Sequence, residues 1–234
     1  MKCASNRKTL LFPAGFSLIE LLAVIVIIAI IGSLAVPSFS KIVKSSEVTQ
    51  AGQMVLDQLN LTRLKAITRG RNYEIRFYKY DPKEIPGTNT PNYRAFLVFE
   101  QMEDLTYRPV TRLFKLPPSI IIDTGVAKDA KSLTTINFPS FPSSDPPREQ
   151  DGATELSVDK TQILGAMKGT SYKYTPITFR PSGSTSLNKD LTWILTVRPA
   201  LPNDPGSQTD LSKVPNFITI QIDPYTGVAR YFRP

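Results

Sequence analysis

Gly15-Phe16-Ser17-Leu18-Ile19-Glu20 opens an apolar run that continues to Val36 without another charge, and this pattern commits the N-terminal part of the chain to one long hydrophobic helix. Leu18 to Val36 is 19 residues. At 1.5 Å of rise per residue they span about 28 Å, close to the roughly 30 Å of a hydrocarbon core, so one membrane crossing is expected. Lys2, Arg7 and Lys8 are the only charges before Glu20, and the positive-inside bias keeps that leader cytoplasmic. Glu20 is the anomaly. A carboxylate within a spanning helix costs on the order of 2.5–3.5 kcal/mol at the centre, and such residues tend to mark function or a partner. An ordinary secretory signal peptide or plain anchor is the competing reading, because Ser33-Leu34-Ala35 has the small-x-small form of a signal peptidase site. Against it stand the glutamate and an apolar region longer than the usual 7–15 residues or so.

A short basic leader ending in Gly15, then Phe16, a hydroxyl residue, two aliphatics and Glu20 ahead of a hydrophobic helix resembles the processing site of type IV prepilins and of the pseudopilins of type II secretion. The resemblance implies that a prepilin peptidase cuts between Gly15 and Phe16 on the cytoplasmic face and that the new Phe16 amine is methylated. An α-amino group, with an ordinary pKa of about 7.7–8.0, is mostly positive at neutral pH. In a staggered filament it would meet Glu20 of a neighbouring subunit, turning a costly lone charge into a pair within a helix bundle. Pairing of Glu20 with its own subunit's amine is not separated from this by the sequence.

With 234 residues, the chain has room for one globular domain after the anchor, or two small ones, and one is expected. Cys3 is the only cysteine. It lies in the leader, so the processed chain would hold no disulfide although its domain faces an oxidising compartment. Many major pilins close a C-terminal loop with a disulfide, and its absence here favours the minor-subunit branch. The chain has no histidine. That removes Ser-His-Asp and Cys-His nucleophiles and imidazole metal sites, so neither an enzyme nor a cofactor is expected. Three short matches carry no weight. Ser38-Phe39-Ser40-Lys41 fits Ser-x-x-Lys without its partner motifs, Asn60-Leu61-Thr62 is a sequon on a predicted helix, and the acidic loop around Asp204 and Asp210 lacks calcium-ligand spacing.

Pro37 follows the span and is expected to kink the helix rather than end it, because helical periodicity resumes at once. Val48, Ala51, Val55, Leu59 and Ala66 recur at helical steps and form one apolar stripe. Phe39, Val43, Met54, Leu61 and Leu64 form a second, roughly opposite. One stripe is expected to cover the domain's own sheet and the other to meet neighbouring helices, without a basis for saying which; burial of both in one monomer is the alternative. Basic residues and Gly70 close the helix near residue 70. Beyond residue 71 the period becomes two. Strands are predicted at Tyr73 to Tyr78 and Tyr93 to Phe99 as a hairpin around an Asp81–Asn92 loop, then at Val110 to Leu116, Ile120 to Ile122, Thr175 to Arg180, Thr192 to Val197, Phe217 to Ile222 and Val228 to Phe232. Asp223-Pro224-Tyr225-Thr226-Gly227 is a turn sequence that makes the last two a hairpin. A Pro/Ser-rich stretch near 138–159 reads as a mobile surface insertion.

The expected organisation is therefore residues 1–15 as cytoplasmic leader, 16–36 as the membrane-spanning half of the helix, 37–70 as its amphipathic half, and 71–234 as a β-rich domain. This is an α+β, pilin-like fold in which the helix packs on an antiparallel sheet. The Thr68-Arg69-Gly70-Arg71 helix end, Leu116-Pro117-Pro118-x-Ile120, Ile177-Thr178-Phe179-Arg180-Pro181-Ser182-Gly183 and Thr226-Gly227 resemble the minor pseudopilin H and FimT-like group. Arg76-Phe77-Tyr78-Lys79-Tyr80 and Asp223-Pro224-x-Thr226-Gly227 resemble more narrowly the Verru_Chthon cassette protein D group. What these resemblances imply is a single-pass inner-membrane subunit with a periplasmic domain, assembled into a type II secretion or type IV pilus-like filament. Its partners would be prepilin peptidase, other pilin-like subunits, the inner-membrane assembly platform and membrane lipid. The alternative is an anchored ligand-binding module, such as a DNA-capturing minor pilin. Loss of the leader lowers the net charge from +8 to +5, too modest to demand nucleic acid. Arg230 and Arg233, beside Tyr231 and Phe232, are the best local candidates for phosphate contact and stacking; edge-strand solubility explains them equally well.

Overall fold

The computed structural model describes residues 17–80, 92–123, 150–151, 173–201, 214 and 216–233, with the backbone alone at 34–42, 80, 150–151 and 173. They form two compact units, one up to Val43 and one from Lys44 onward. Helix α1, Leu18–Arg69, runs without a break past Pro37, so the proline does not terminate it; the Pro37 side chain itself lies outside the described residues. Among the described residues no helix is long and apolar enough to cross a membrane.

Ten strands among the described residues make one sheet. They are β1 Tyr73–Tyr80, β2 Asn92–Gln101, β3 Tyr107–Pro109, β4 Phe114–Lys115, β5 Ile120–Asp123, β6 Gln150–Asp151, β7 Lys173–Phe179, β8 Trp193–Pro199, β9 Ile218–Ile222 and β10 Ala229–Phe232. The main order is β10-β9-β8-β5-β2-β1-β7-β6, and every pairing is antiparallel. The long strand β2 gives one edge to β1 and shares the other among β3, β4 and β5 in turn.

That sharing corrects the single strand expected over Val110 to Leu116. Val110 N–H still donates to Val98 O (2.9 Å), but Val98 N–H donates to the Thr111 hydroxyl (3.1 Å). A side-chain oxygen stands where a ladder carbonyl would be, and pairing resumes only at β4. The remaining predicted strands fall within two residues of β1, β2, β5 and β7 to β10. The Asp81–Asn92 loop is described only from Asn92, where β2 begins. The 138–159 insertion lies outside the described residues except for Gln150 and Asp151, which pair with Tyr174 and Lys173 of β7.

The first predicted stripe of the helix is its core face. Val48, Ala51, Val55, Leu59 and Ala66 are fully buried, together with Thr62, against Ile75, Phe77, Phe96, Val98, Ile177, Phe179, Trp193, Leu195, Ile218 and Ile220. Burial of each Val or Leu contributes about 1.5–3 kcal/mol relative to exposure, so this stripe fixes the rotation of the helix about its axis. Gly52 lets the two elements approach, since a Cβ there would lie 2.8 Å from Ile218 Cδ1.

The opposite face of the sheet is closed as well. Tyr78, Ala95, Leu97, Phe99 and Tyr174 form a second buried cluster with Tyr107 and Leu113 packed on it. Within that face Arg76 Nε donates to Glu74 Oε1 at 2.5 Å, and the guanidinium lies over the Phe99, Tyr174 and Tyr107 rings at 4.0, 4.9 and 5.1 Å. Burial pushes the Tyr107 hydroxyl above its ordinary pKa, and the neighbouring Glu74 charge adds to the shift.

Candidate functional site

The start of α1 is a capping box. Ser17 Oγ accepts from Glu20 N–H at 3.2 Å, and Glu20 Oε2 accepts from Ser17 N–H at 3.4 Å. The reciprocal pair satisfies two of the donors that a helix N-terminus leaves without partners. Ser-x-x-Glu at residues 17–20 is its sequence signature, so Ser17 was open to recognition as a cap from the sequence. Both residues are exposed. Gly15 and Phe16, the predicted cleavage pair, lie outside the described residues. Downstream, Leu18, Ile19, Leu21, Leu22, Val24 to Ile28, Ile30 and Ile31 are exposed at 46–84%, around the whole circumference of the helix. A carboxylate held in the first turn thus introduces a helix surface that is apolar on every side.

The second predicted stripe divides. Met54 packs on the core edge, Phe39 lies outside the described side chains, and Val43, Leu61 and Leu64 are exposed at 52, 40 and 53%. Both stripes are therefore not buried in one monomer. The sheet takes the first, and most of the second faces outward with Ile67 beside it.

At the other end of the chain, side chains fasten the β9–β10 hairpin and the residue after it to α1, and of these the sequence reading gave a role only to Arg233. Asn60 Nδ2 donates to Ala229 O at 3.2 Å, and Ala229 N–H donates to Asn60 Oδ1 at 3.1 Å. Arg63 Nε donates to Thr226 O. Arg233, a predicted phosphate contact, is exposed and donates to Thr49 Oγ1 (3.1 Å), Ser45 Oγ (3.0 Å) and Asn216 Oδ1 (2.5 Å). Arg230 is exposed and lines a cleft of about 360 Å³ with Gln221, Asp223, Thr226 and Val228. The Thr226 hydroxyl, joined by backbone N–H groups and Arg230, holds the Asp223 carboxyl below its usual range. The cleft thus sets a cation beside a carboxylate. Asp204 and Asp210 lie outside the described residues.

Residues 13–36 match the family model for the prokaryotic N-terminal methylation motif. No curated protein matches the chain. Among solved structures the chain is similar to the minor pseudopilin EpsH from the type 2 secretion system of Vibrio cholerae, at 10% identity and a TM-score of 0.40, over 80% of this chain and 98% of that one. It is also similar to the type IV minor pilin FimU of Pseudomonas aeruginosa strain PAO1, at 9% identity and a TM-score of 0.38, over 81% and 93% of the two chains. These comparisons do not reach the Verru_Chthon cassette protein D group, and that resemblance stays with the strand and turn motifs that carry it. The chain thus joins a prokaryotic N-terminal methylation motif to a long helix followed by a large antiparallel sheet.

Proposed function

We propose that the chain is a minor pilin-like subunit, anchored in the inner membrane by residues 16–36, processed between Gly15 and Phe16, and assembled through its helix into a type II secretion or type IV pilus-like filament. The observation that carries this reading is the methylation motif at residues 13–36 running directly into a helix with apolar side chains on all sides. A helix of that kind is stable in lipid or among other helices. Processing creates a cation at Phe16, and a neighbouring subunit's amine would relieve the cost of carrying Glu20 into that environment. Prepilin peptidase, other pilin-like subunits and the assembly platform are the partners this reading requires.

Intact-mass and N-terminal peptide analysis in the native host test it. The mature chain should begin at N-methyl-Phe16; a Met1 start, or a start after Ala35, would overturn the reading. Glu20 then separates assembly from folding. Glu20→Leu and Glu20→Gln should leave the unfolding transition of the sheet unit, reported by Trp193, unchanged, while both reduce crosslinking to partner subunits. Glutamine can still accept the Ser17 N–H in the capping box, so loss with both substitutions assigns the effect to charge. Normal crosslinking with Gln and loss with Leu would instead make the residue a helix cap.

A further inference from the structure

The two hydrogen bonds between Asn60 and Ala229 have the pattern of a neighbouring strand. In the β9–β10 ladder Asp223 N–H donates to Val228 O at 3.0 Å, and Ala229 stands opposite Ile222. Antiparallel pairing alternates, so Ala229 and Tyr231 turn their N–H and C=O groups away from β9, towards the outer edge of the sheet. Among the described residues β10 is the last strand of the sheet on that side. Asn60 fills the Ala229 pair with one donor and one acceptor from a single side chain, at 3.2 and 3.1 Å. The Tyr231 pair has no partner among the described residues.

We propose that Asn60 is a strand-mimicking plug that keeps the β10 edge closed to β10 of a second copy of this chain. The occupant it excludes is set by the strand itself. Two copies of Arg230-Tyr231-Phe232 running antiparallel about Tyr231 place the two tyrosines opposite one another, and each Arg230 opposite the second copy's Phe232. Tyr231 and Phe232 are exposed at 45 and 53%, and aromatic and cation–aromatic cross-strand pairs favour that register. With Asn60 in place, β10 of each copy offers only the N–H and C=O of Tyr231, and Arg233 of the second copy finds the Ala229 pair opposite it already taken, which leaves too few bonds to offset the entropy of association. Without it, the Ala229 pair of each copy joins the ladder. Sheet edges with open pairs template such contacts, and proteins blunt them. Here the long helix does so, leaving its own outward ridge as the surface for assembly.

The test uses the full chain in detergent, where the apolar helix is common to all variants. Asn60→Leu should speed hydrogen exchange at the Ala229 amide by about tenfold or more, and should convert the chain to a species of twice its native mass by light scattering. Asn60→Leu combined with Tyr231→Pro should return to the native mass, because proline removes the outward N–H without touching a bond to β9. Asn60→Ala serves if Leu disturbs the Trp193 emission of the folded sheet. Unchanged mass in a folded Asn60 variant, or a dimer that persists with Tyr231→Pro, would overturn the proposal.

Discussion

Asp123→Ala is expected to destabilise the sheet unit by about 3–5 kcal/mol, the range for breaking one side of a buried ion pair. Asp123 closes β5, and its carboxylate accepts from Arg198 Nε of β8; both side chains have zero exposure. Arg198 Nη1 also donates to Pro199 O at 3.0 Å. Exchange of both residues together should cost far less. Asp123→Leu with Arg198→Met substitutes apolar volume for two charges that were each desolvated on folding, an exchange that is often neutral or stabilising. Trp193 is the only tryptophan, is buried on β8 and reports the transition in denaturant. A single substitution costing under about 1 kcal/mol, as exposed pairs do, would show that the Arg198 charge does not depend on the Asp123 carboxylate.

The sequence made the helix and its inner stripe readable because one physical rule governs them. Val48, Ala51, Val55, Leu59 and Ala66 recur at helical spacing, and all five have zero exposure. The terminal hairpin was legible for a similar reason, since Pro224 and the positive φ of Gly227 signal the turn locally, whatever it later packs against. Local rules stop at tertiary contacts. Glu74 and Arg76 occupy the polar side of an alternating strand, a pattern that ordinarily faces water, yet the far side of the sheet is covered and they pair beneath three aromatic rings. Asp123 and Arg198 stand 75 residues apart, a separation that no periodicity spans. Strand β6 has two residues, too few to show a period at all.

The candidate site divides along the same line. Glu20 was conspicuous because a charge interrupts an apolar run, and its capping partner Ser17 follows from a spacing of three. Arg233 stood out in the sequence only as a basic residue beside aromatic ones, and nothing local marks the hydroxyls it meets on a helix 184 and 188 residues earlier. Asn60 stood in the sequence only as part of a sequon that carried no weight. Its amide is tied to Ala229, where the relevant fact is the direction of a backbone edge in another element.

Gly227→Ala should cost about 2–5 kcal/mol, combining a left-handed conformation that a Cβ penalises by about 1–2 kcal/mol with overpacking worth about 1–3 kcal/mol. Gly227 has φ +67°, and a Cβ there would overlap Gly183 O outright while lying 3.1 Å from Phe179 Cδ1. Neither neighbour yields easily: Gly183 is itself held at φ +86° in the turn after β7, and Phe179 is fully buried. Gly70 supplies the internal control. It has φ +64° but open space around its missing Cβ, so Gly70→Ala should show the backbone penalty alone. Displacing Gly227 would also shift Thr226 O, which accepts from Arg63, and Ala229, which is held by Asn60. The damage should therefore reach the β10 edge as faster amide exchange at Ala229, whereas Gly70→Ala should leave that amide protected. Equal losses of stability from the two substitutions would mean that the turn relaxes away from Gly183, and that the contact between the two glycine turns does not set the geometry of the terminal hairpin.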